Sequence, residues 1–265
     1  MNACLRAGLL GLIALAMVSA QPHKIVFLGS TEGLQGAIQV GAEEARLQAD
    51  FLNIQLQFEQ DRDPAHAGNY ADAHAVIVNG TPDEVLEAAR ALSDPGVPVL
   101  NVGTGDNELR TECRANLFHI APSDKMLADA VAQWRKTHPD AKDVRAQAWH
   151  PEFVKFAARE LNNRYRKATG MEMSDAAWAV WAAYRLVTTA IVNEPEATPK
   201  RLVEYFRDEL EFDSQKGVFS TFRETGEMRQ ALLIVAEGKL AGEAPVRGAA
   251  ASDDLDSLGV QECKP

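Results

Sequence analysis

Apolar runs of strand length alternate with helical patterns through the first half of the chain, and this alternation limits the fold more than any other feature. Residues 24–28 (KIVFL), 75–78 (AVIV), 97–102 (VPVLNV) and 116–120 (NLFHI) are short apolar runs bounded by Gly, Pro or Asn. Residues 54–58 (IQLQF) alternate apolar and polar, as a half-buried strand does. Between the first two strands Leu34, Ile38, Ala42, Ala45, Ala49 and Leu52 fall on one helical stripe. Thr81-Pro82-Asp83-Glu84 reads as a helix start, with Thr as cap, Pro at the first helical position and Glu three residues after Thr. Ser123 caps another helix, whose stripe is Met126, Leu127, Ala130, Val131 and Trp134. Strand, helix, strand in this order predicts an α/β fold built on a mostly parallel sheet with right-handed crossovers.

Parallel sheets of this kind hold small ligands at the carboxyl ends of their strands, where loops and helix N-termini meet. Three loops there, 29–33, 79–81 and 103–106, combine Gly with Ser, Thr or Asn. Their backbone N–H groups and small hydroxyls can grip a carboxylate or another polar group. Ser30, Thr31, Glu32, Asn79, Gly80, Thr81, Gly103, Thr104 and Asp106 are the candidate binding residues of these loops.

The pattern changes after residue 137, where a polar stretch to Arg145 interrupts the chain. Residues 151–168 read as a helix with Phe153, Phe156, Ala157, Leu161 and Tyr165 on one face. Ser174-Asp175 starts a second helix, apolar almost all round to about Val192 and therefore central and buried. Thr198-Pro199 starts a third, burying Leu202, Val203, Phe206 and Leu210. Residues 218–222 and 231–235 read as a strand pair separated by Gly226, and residues 242–265 as an extended tail.

Residues 1–20 match a signal peptide: a weakly basic start, an apolar run from Ala7 to Val18, and Ser19-Ala20 before the cut. Export places the mature chain outside the cytoplasm and leaves two cysteines, Cys113 and Cys263, which suggests one disulfide. It would close a loop of about 150 residues, worth roughly 5 kcal/mol in the chain-entropy description. A formal charge of −11 argues against a nucleic-acid partner, which needs a clustered basic face.

Motifs for chemistry are absent. No P-loop, dinucleotide fingerprint, G-x-S-x-G elbow or H-E-x-x-H occurs, and none of the six histidines pairs at metal-ligand spacing. No catalytic residue, metal or catalytic cofactor is predicted. Glu43-Glu44 reads as a solvated helix face. Trp149-His150-Pro151 reads either as a packed Trp with a helix cap or as a ligand contact, with Trp149 and His150 as candidates. Trp178, Trp181 and Tyr184 fit the core better than a cofactor cage, although Trp178 is kept as a candidate contact. Arg185, alone in an apolar helix, requires a partner, with an internal carboxylate favoured over an anionic ligand.

The order of these segments resembles the type I periplasmic solute-binding proteins of the branched-chain amino-acid receptor type. Residues 36–53 resemble the opening helix of that family and 116–123 (NLFHIAPS) one of its strands. Residues 153–170 resemble the helix ending in a glycine stop, 174–191 the helix after it, and 198–222 with Gly226 and 231–235 the closing stretch. Cys113-Arg114-Ala115-Asn116, Ala121-Pro122-Ser123, Ala148-Trp149-His150, Leu161-Asn162-Asn163-Arg164 and Asp256-Ser257-Leu258-Gly259 resemble the subset that accompanies dehydrogenases using pyrroloquinoline quinone (PQQ). The resemblance implies a complete N-terminal lobe (21–122), a second lobe (123–241) that is mainly helical with a strand pair, and the tail. The second lobe is shortened, since only about 15 residues separate Trp134 from Trp149. It further implies an ABC-importer receptor working with a permease on a small molecule linked to quinoprotein metabolism. PQQ itself is the specific expectation, with Trp149, Trp178, Arg145, Arg110 and Arg114 to hold it. A branched-chain amino-acid receptor, a sensor or non-transport partner of a periplasmic quinoprotein dehydrogenase, and an unrecognised enzyme are the alternatives.

Overall fold

A computed structural model describes residues 22–264, so the expected signal peptide lies outside the described residues. Strand β1 (His23–Gly29) leads into helix α1 (Gln35–Phe51), and β2 (Leu56–Asp61) follows. Next come β3 (Ala75–Asn79), α2 (Pro82–Ala91), β4 (Val99–Asn101), the short α3 (Asn107–Thr111), β5 (Leu117–His119) and α4 (Asp124–Thr137). The five strands form one sheet in the order β2-β1-β3-β4-β5, every neighbouring pair parallel.

Strand alternation divides this sheet between two cores. Ile25, Phe27, Ala75, Ile77, Leu100 and Phe118 join the core that contains α1. Val26, Leu28, Val76, Val78, Val99 and Leu117 face α2 on the other side. Side chains one residue apart point to opposite faces, so a central strand covered on both sides must be apolar throughout, as KIVFL is. The edge strand β2 starts two residues later than its sequence pattern predicts. Asn53 takes a left-handed conformation (φ 58°) to end α1, and the Ile54 N–H closes back on Ala49 O, so Ile54 belongs to the turn. At α2 the capping box forms: Glu84 N donates to Thr81 Oγ1, and Thr81 N donates to the Glu84 carboxylate at 2.7 Å.

The second half contains β6 (Arg145–Gln147), α5 (Ala158–Thr169), α6 (Asp175–Asn193) and α7 (Pro199–Asp208). The short strands β7 (Phe212–Asp213), β8 (Phe219–Phe222) and β9 (Met228–Arg229) precede the hairpin β10 (Leu232–Ala236) and β11 (Lys239–Ala244). Helix α6 is central, with thirteen of its residues buried. It lies close to α1, where a Cβ on Gly41 would come within 2.9 Å of the Tyr184 ring. Four expectations are corrected here. The helix predicted from 151 begins only at Ala158, because Asn162 Nδ2 donates to Pro151 O and Phe153 O and holds the preceding segment in a turn. The 218–222 and 231–235 segments are not partners: β8 pairs with β7 and β9, whereas β10 pairs with β11 and β6. Arg145–Gln147, read as the end of a polar break, is a strand. The tail therefore starts after Ala244 rather than at Gly242.

The sheet β11-β10-β6 packs against α4 within the shortened second lobe. The tail is anchored. Cys113 and Cys263 are disulfide-bonded, Arg223 donates to Leu255 O and Leu258 O, and Gly259 N donates to Asp129 Oδ2. Among the described residues no helix is long and apolar enough to cross a membrane.

Candidate functional site

The three predicted loops meet at the carboxyl end of the parallel sheet, after β1, β3 and β4. Gly29 (φ 109°) ends β1 so close to β3 that a Cβ there would lie 2.0 Å from Asn79 O, which only glycine allows. Asn79 Nδ2 donates to Ser30 O at 2.7 Å, tying the first loop to the second. A Cβ on Gly103 would lie 2.5 Å from Asn79 Oδ1 and 2.9 Å from Gly80 N, so the third loop rests on the second. Ser30, Glu32, Thr81 and Gly103 are exposed, while Thr31, Asn79, Gly80, Thr104 and Asp106 are half-buried. Several of their side chains serve the local fold: Thr104 Oγ1 accepts from Asp106 N, Asp106 Oδ1 caps α3 at Leu109 N, and Thr31 Oγ1 accepts from Gln35 Nε2.

Two buried residues that sequence reasoning did not assign to the site shape the third loop. Asn101 is fully buried; its Oδ1 accepts from Gly103 N and Thr104 N, both at 3.1 Å, and its Nδ2 donates to Thr104 O at 2.8 Å. The same amide lies 3.1 Å from Nδ1 of His119, which burial holds well below the usual imidazole range, and therefore neutral. The signal was present as a lone amide at the end of the apolar run VPVLNV. Arg110 is also fully buried, donating to Thr104 O, Asp106 O and Ala121 O. Burial pulls its pKa down to about 10, opposed by Glu227, whose Oε1 is 4.0 Å from Nε. Its guanidinium braces the loop from beneath and offers no face to a solute, contrary to the expectation that Arg110 helps hold one.

A hollow of about 180 Å³ opens between these loops and the start of α6. Gly103, Gly105, Pro122, Asp124, Asp175 and Ala179 line it. Of the predicted binding residues only Gly103 reaches it; Ser30, Asn79 and Gly80 form the shelf beside it. Asp175 accepts from Trp149 N at 2.8 Å. Burial raises its carboxyl pKa, while backbone donors and the charge of Lys216 pull the other way.

Trp149 and Trp178 do not present a face to the hollow. Both have zero exposure and stack with ring centroids 5.9 Å apart, and Trp149 Nε1 donates to Asn162 Oδ1. The Trp-His-Pro segment is thus a packed tryptophan, with His150 Nδ1 accepting from Glu152 N. Beneath the pair, Lys216 is buried with Nζ 3.9 Å from the Trp178 ring centroid, donating to Ala148 O and Gln230 Oε1. Burial pulls its amine down to about 7. Arg145 is an exposed residue of β6, and Arg114 is half-buried with its carbonyl accepting from Arg207. Arg185 bonds Gln48 Oε1 at 2.6 Å and forms no salt bridge among the described residues, so the expected carboxylate partner is an amide, with Glu44 acting only through space. Among the described residues no group of His, Cys, Asp and Glu could hold a metal ion.

No protein-family model and no curated protein matches this chain. Solved structures do. A periplasmic binding protein from Burkholderia mallei is similar at a TM-score of 0.69 and 11% identity, covering 88% of this chain and 97% of its own. An ABC transporter substrate-binding protein from Desulfitobacterium hafniense, in complex with Leu, gives 0.71 and 12%, covering 84% and 100%. An ABC transporter solute-binding protein from R. palustris, in complex with benzoate, gives 0.66 and 9%, covering 91% and 100%. The chain therefore has the α/β fold of these type I periplasmic binding proteins, with a complete first lobe and a shortened second one.

Proposed function

We propose that this protein is a periplasmic solute-binding protein, exported by its signal peptide, that delivers a small molecule to an ABC-transporter permease. The observation that carries this reading is the meeting of three glycine-bearing strand-end loops beside a hollow of about 180 Å³. Such loops bind without a nucleophile or a tuned acid. The proteins sharing this fold are binding proteins, which supports a receptor rather than an enzyme, and two of them hold small molecules, leucine and benzoate.

The walls narrow the solute. Asp124 and Asp175 line the hollow and no cationic side chain does. A small solute carrying an amine, an amino acid above all, suits such walls better than a tricarboxylate. PQQ, or a partnership with a quinoprotein dehydrogenase, is accordingly the second choice and rests on the sequence resemblance alone. A thermal-shift screen with amino acids, benzoate, small alcohols and PQQ separates these readings. A ligand at one hundred times its Kd adds about 2.7 kcal/mol of stability. Stabilisation by an amino acid, reduced at least about tenfold in affinity by Asp175→Asn, is the expected result. Stabilisation by PQQ alone transfers the assignment to the quinoprotein reading, and no shift with any of them removes the receptor assignment.

A further inference from the structure

The sheet-side lining of the hollow, from Gly103 to Asp124, is gripped from behind by two buried side chains that do not themselves line it. Arg110 donates to Thr104 O at 2.9 Å and to Ala121 O at 2.7 Å. Glu227, 1% exposed, accepts from Ser123 N through Oε1 at 3.0 Å and so fixes the start of α4, where Asp124 lines the hollow. Asp124 N donates in turn to Gly105 O, which joins the two gripped segments. The same Oε1 lies 4.0 Å from Arg110 Nε.

The C-terminal tail holds Glu227 from the opposite side. Arg223 Nη1 donates to Glu227 Oε2 at 3.3 Å, and Nη2 of the same guanidinium donates to Leu255 O and Leu258 O at 2.7 and 2.8 Å. Gly259 (φ 72°) lies directly over the carboxylate: a Cβ there would be 3.0 Å from Glu227 Oε2 and 2.8 Å from Met126 Cβ of α4. Only glycine closes this approach. Further on, Cys263 is joined to Cys113 just beyond α3, the helix that carries Arg110, and Lys264 N donates to Thr111 O at its last residue. The tail therefore reaches the third loop at two points, covalently at the end of α3 and electrostatically through Arg223, Glu227 and Arg110. The turn between β8 and β9 that carries Glu227 has no room to yield. His119 N donates to Gly226 O, and a Cβ on Gly226 would lie 2.1 Å from Leu117 O. A buried carboxylate between two guanidiniums cannot leave either without stranding a charge, which is costly. Displacement of the tail is thus passed on to Arg110 and Ser123.

We propose that the tail is a strap that sets the binding walls: seated on Glu227, the positioning residue, it fixes the third loop and the first turn of α4, so that tail seating and solute binding favour each other. The coupling to solute rests on the reading of the hollow as the binding site. Gly259→Ala, expected to lift the tail by one methyl group, changes no residue of the hollow. In the ligand-free variant, amide exchange at Thr104 and Asp124 is expected to quicken at least about fivefold, the lower end of coupling between sites, while β1 amides hold. Its affinity for leucine, by calorimetry, is expected to fall by a similar factor. Glu227→Gln, which keeps an acceptor for Ser123 N and removes the charge, should act in the same direction. The two changes together should cost less than the product of their separate factors, because both act through one contact. Leu92→Ala, a cavity in the buried core around α2, controls for stability: it should lower Tm and leave both readouts at the parent's values. Unchanged exchange at Thr104 and Asp124 in Gly259→Ala overturns the proposal. So does an equal response to Leu92→Ala, or undiminished leucine affinity where the parent binds it. A parent that does not bind leucine counts against the solute assignment alone, and exchange in the free protein then decides the strap.

Discussion

Replacing Asn101 by Ala removes the side chain that gives the third loop its shape, and its cost can be worked from the bonds lost. Four contacts disappear: those from Gly103 N and Thr104 N to Oδ1, that from Nδ2 to Thr104 O, and that between Nδ2 and His119 Nδ1. Gly103 is exposed, so its N–H recovers water and contributes little. His119 does not, because it is 1% exposed and its Nε2 already has no partner; the variant leaves both ring nitrogens unmatched. A buried polar group stripped of its partner costs about 1–3 kcal/mol, and Thr104 adds about one net hydrogen bond. The expected loss is about 2–4 kcal/mol, seen as a lower urea midpoint with unchanged slope. For a chain of this size that is roughly 6–12 °C in Tm. Hydrogen exchange at Gly103 and Thr104 should quicken while β1 amides hold, because the damage is local. A loss below about 0.5 kcal/mol, or unchanged exchange in this loop, would show that Asn101 does not shape it.

Three further outcomes follow from other parts of the molecule. Cys113→Ser with Cys263→Ser opens a loop spanning 150 residues and should lower stability by about 2–5 kcal/mol, measured by urea unfolding against the oxidised protein. Gly29→Ala forces a Cβ to 2.0 Å from Asn79 O and should destabilise by about 3 kcal/mol or more, or leave the chain insoluble; a Tm within 2 °C of the parent would contradict the close approach of β1 and β3. Lys216 has a folded pKa of about 7 against 10.5 for a free amine, so the unfolded chain binds more protons between those values. Its contribution to stability therefore rises with pH across that window, and the stability difference between the parent and Lys216→Met should rise with it; a flat difference from pH 7 to pH 10 contradicts the buried ammonium.

The first lobe was legible because its central strands, β1, β3 and β4, are covered on both faces. Such strands must be apolar runs, and the helices between them begin with Thr81-Pro82 and Ser123 caps that form as the pattern predicts. The second lobe was less legible, for a physical reason. β6 has three residues, Arg-Ala-Gln, none of them fully buried, so no hydrophobic signal marks it as a strand. The start of α5 is decided by the Asn162 amide reaching Pro151 and Phe153, a tertiary contact that overrides helical periodicity. At the site, strand-end position and glycine located the loops. The residues that hold them in shape, Asn101 and Arg110, could not be told from a solvated amide and a ligand-binding cation until their burial was known.

Both walls of the hollow are fixed to one frame, and this sets how a solute can enter. On the sheet side, Arg110 holds Thr104 O, Asp106 O and Ala121 O together. On the helix side, Ser174 Oγ caps α6 at Ala177 N, and Asp175 is bonded to Trp149 N. The sides are linked through Gln230, whose Nε2 donates to Ile120 O while its Oε1 accepts from Lys216 Nζ, each at 2.9 Å. Spreading the walls breaks this buried chain, leaving either Lys216 with Ala148 O as its one acceptor or Ile120 O without its donor, so the open form is costly. Binding should therefore proceed into a nearly finished site, with backbone shifts within about 1 Å. Saturation with the solute found in the thermal-shift screen should leave the small-angle-scattering radius of gyration unchanged to about 0.5 Å, while slowing exchange at Gly103 and Gly105. Compaction by 1 Å or more would mean that the shortened lobe still closes as a body, and that the Lys216–Gln230–Ile120 link opens in the free protein.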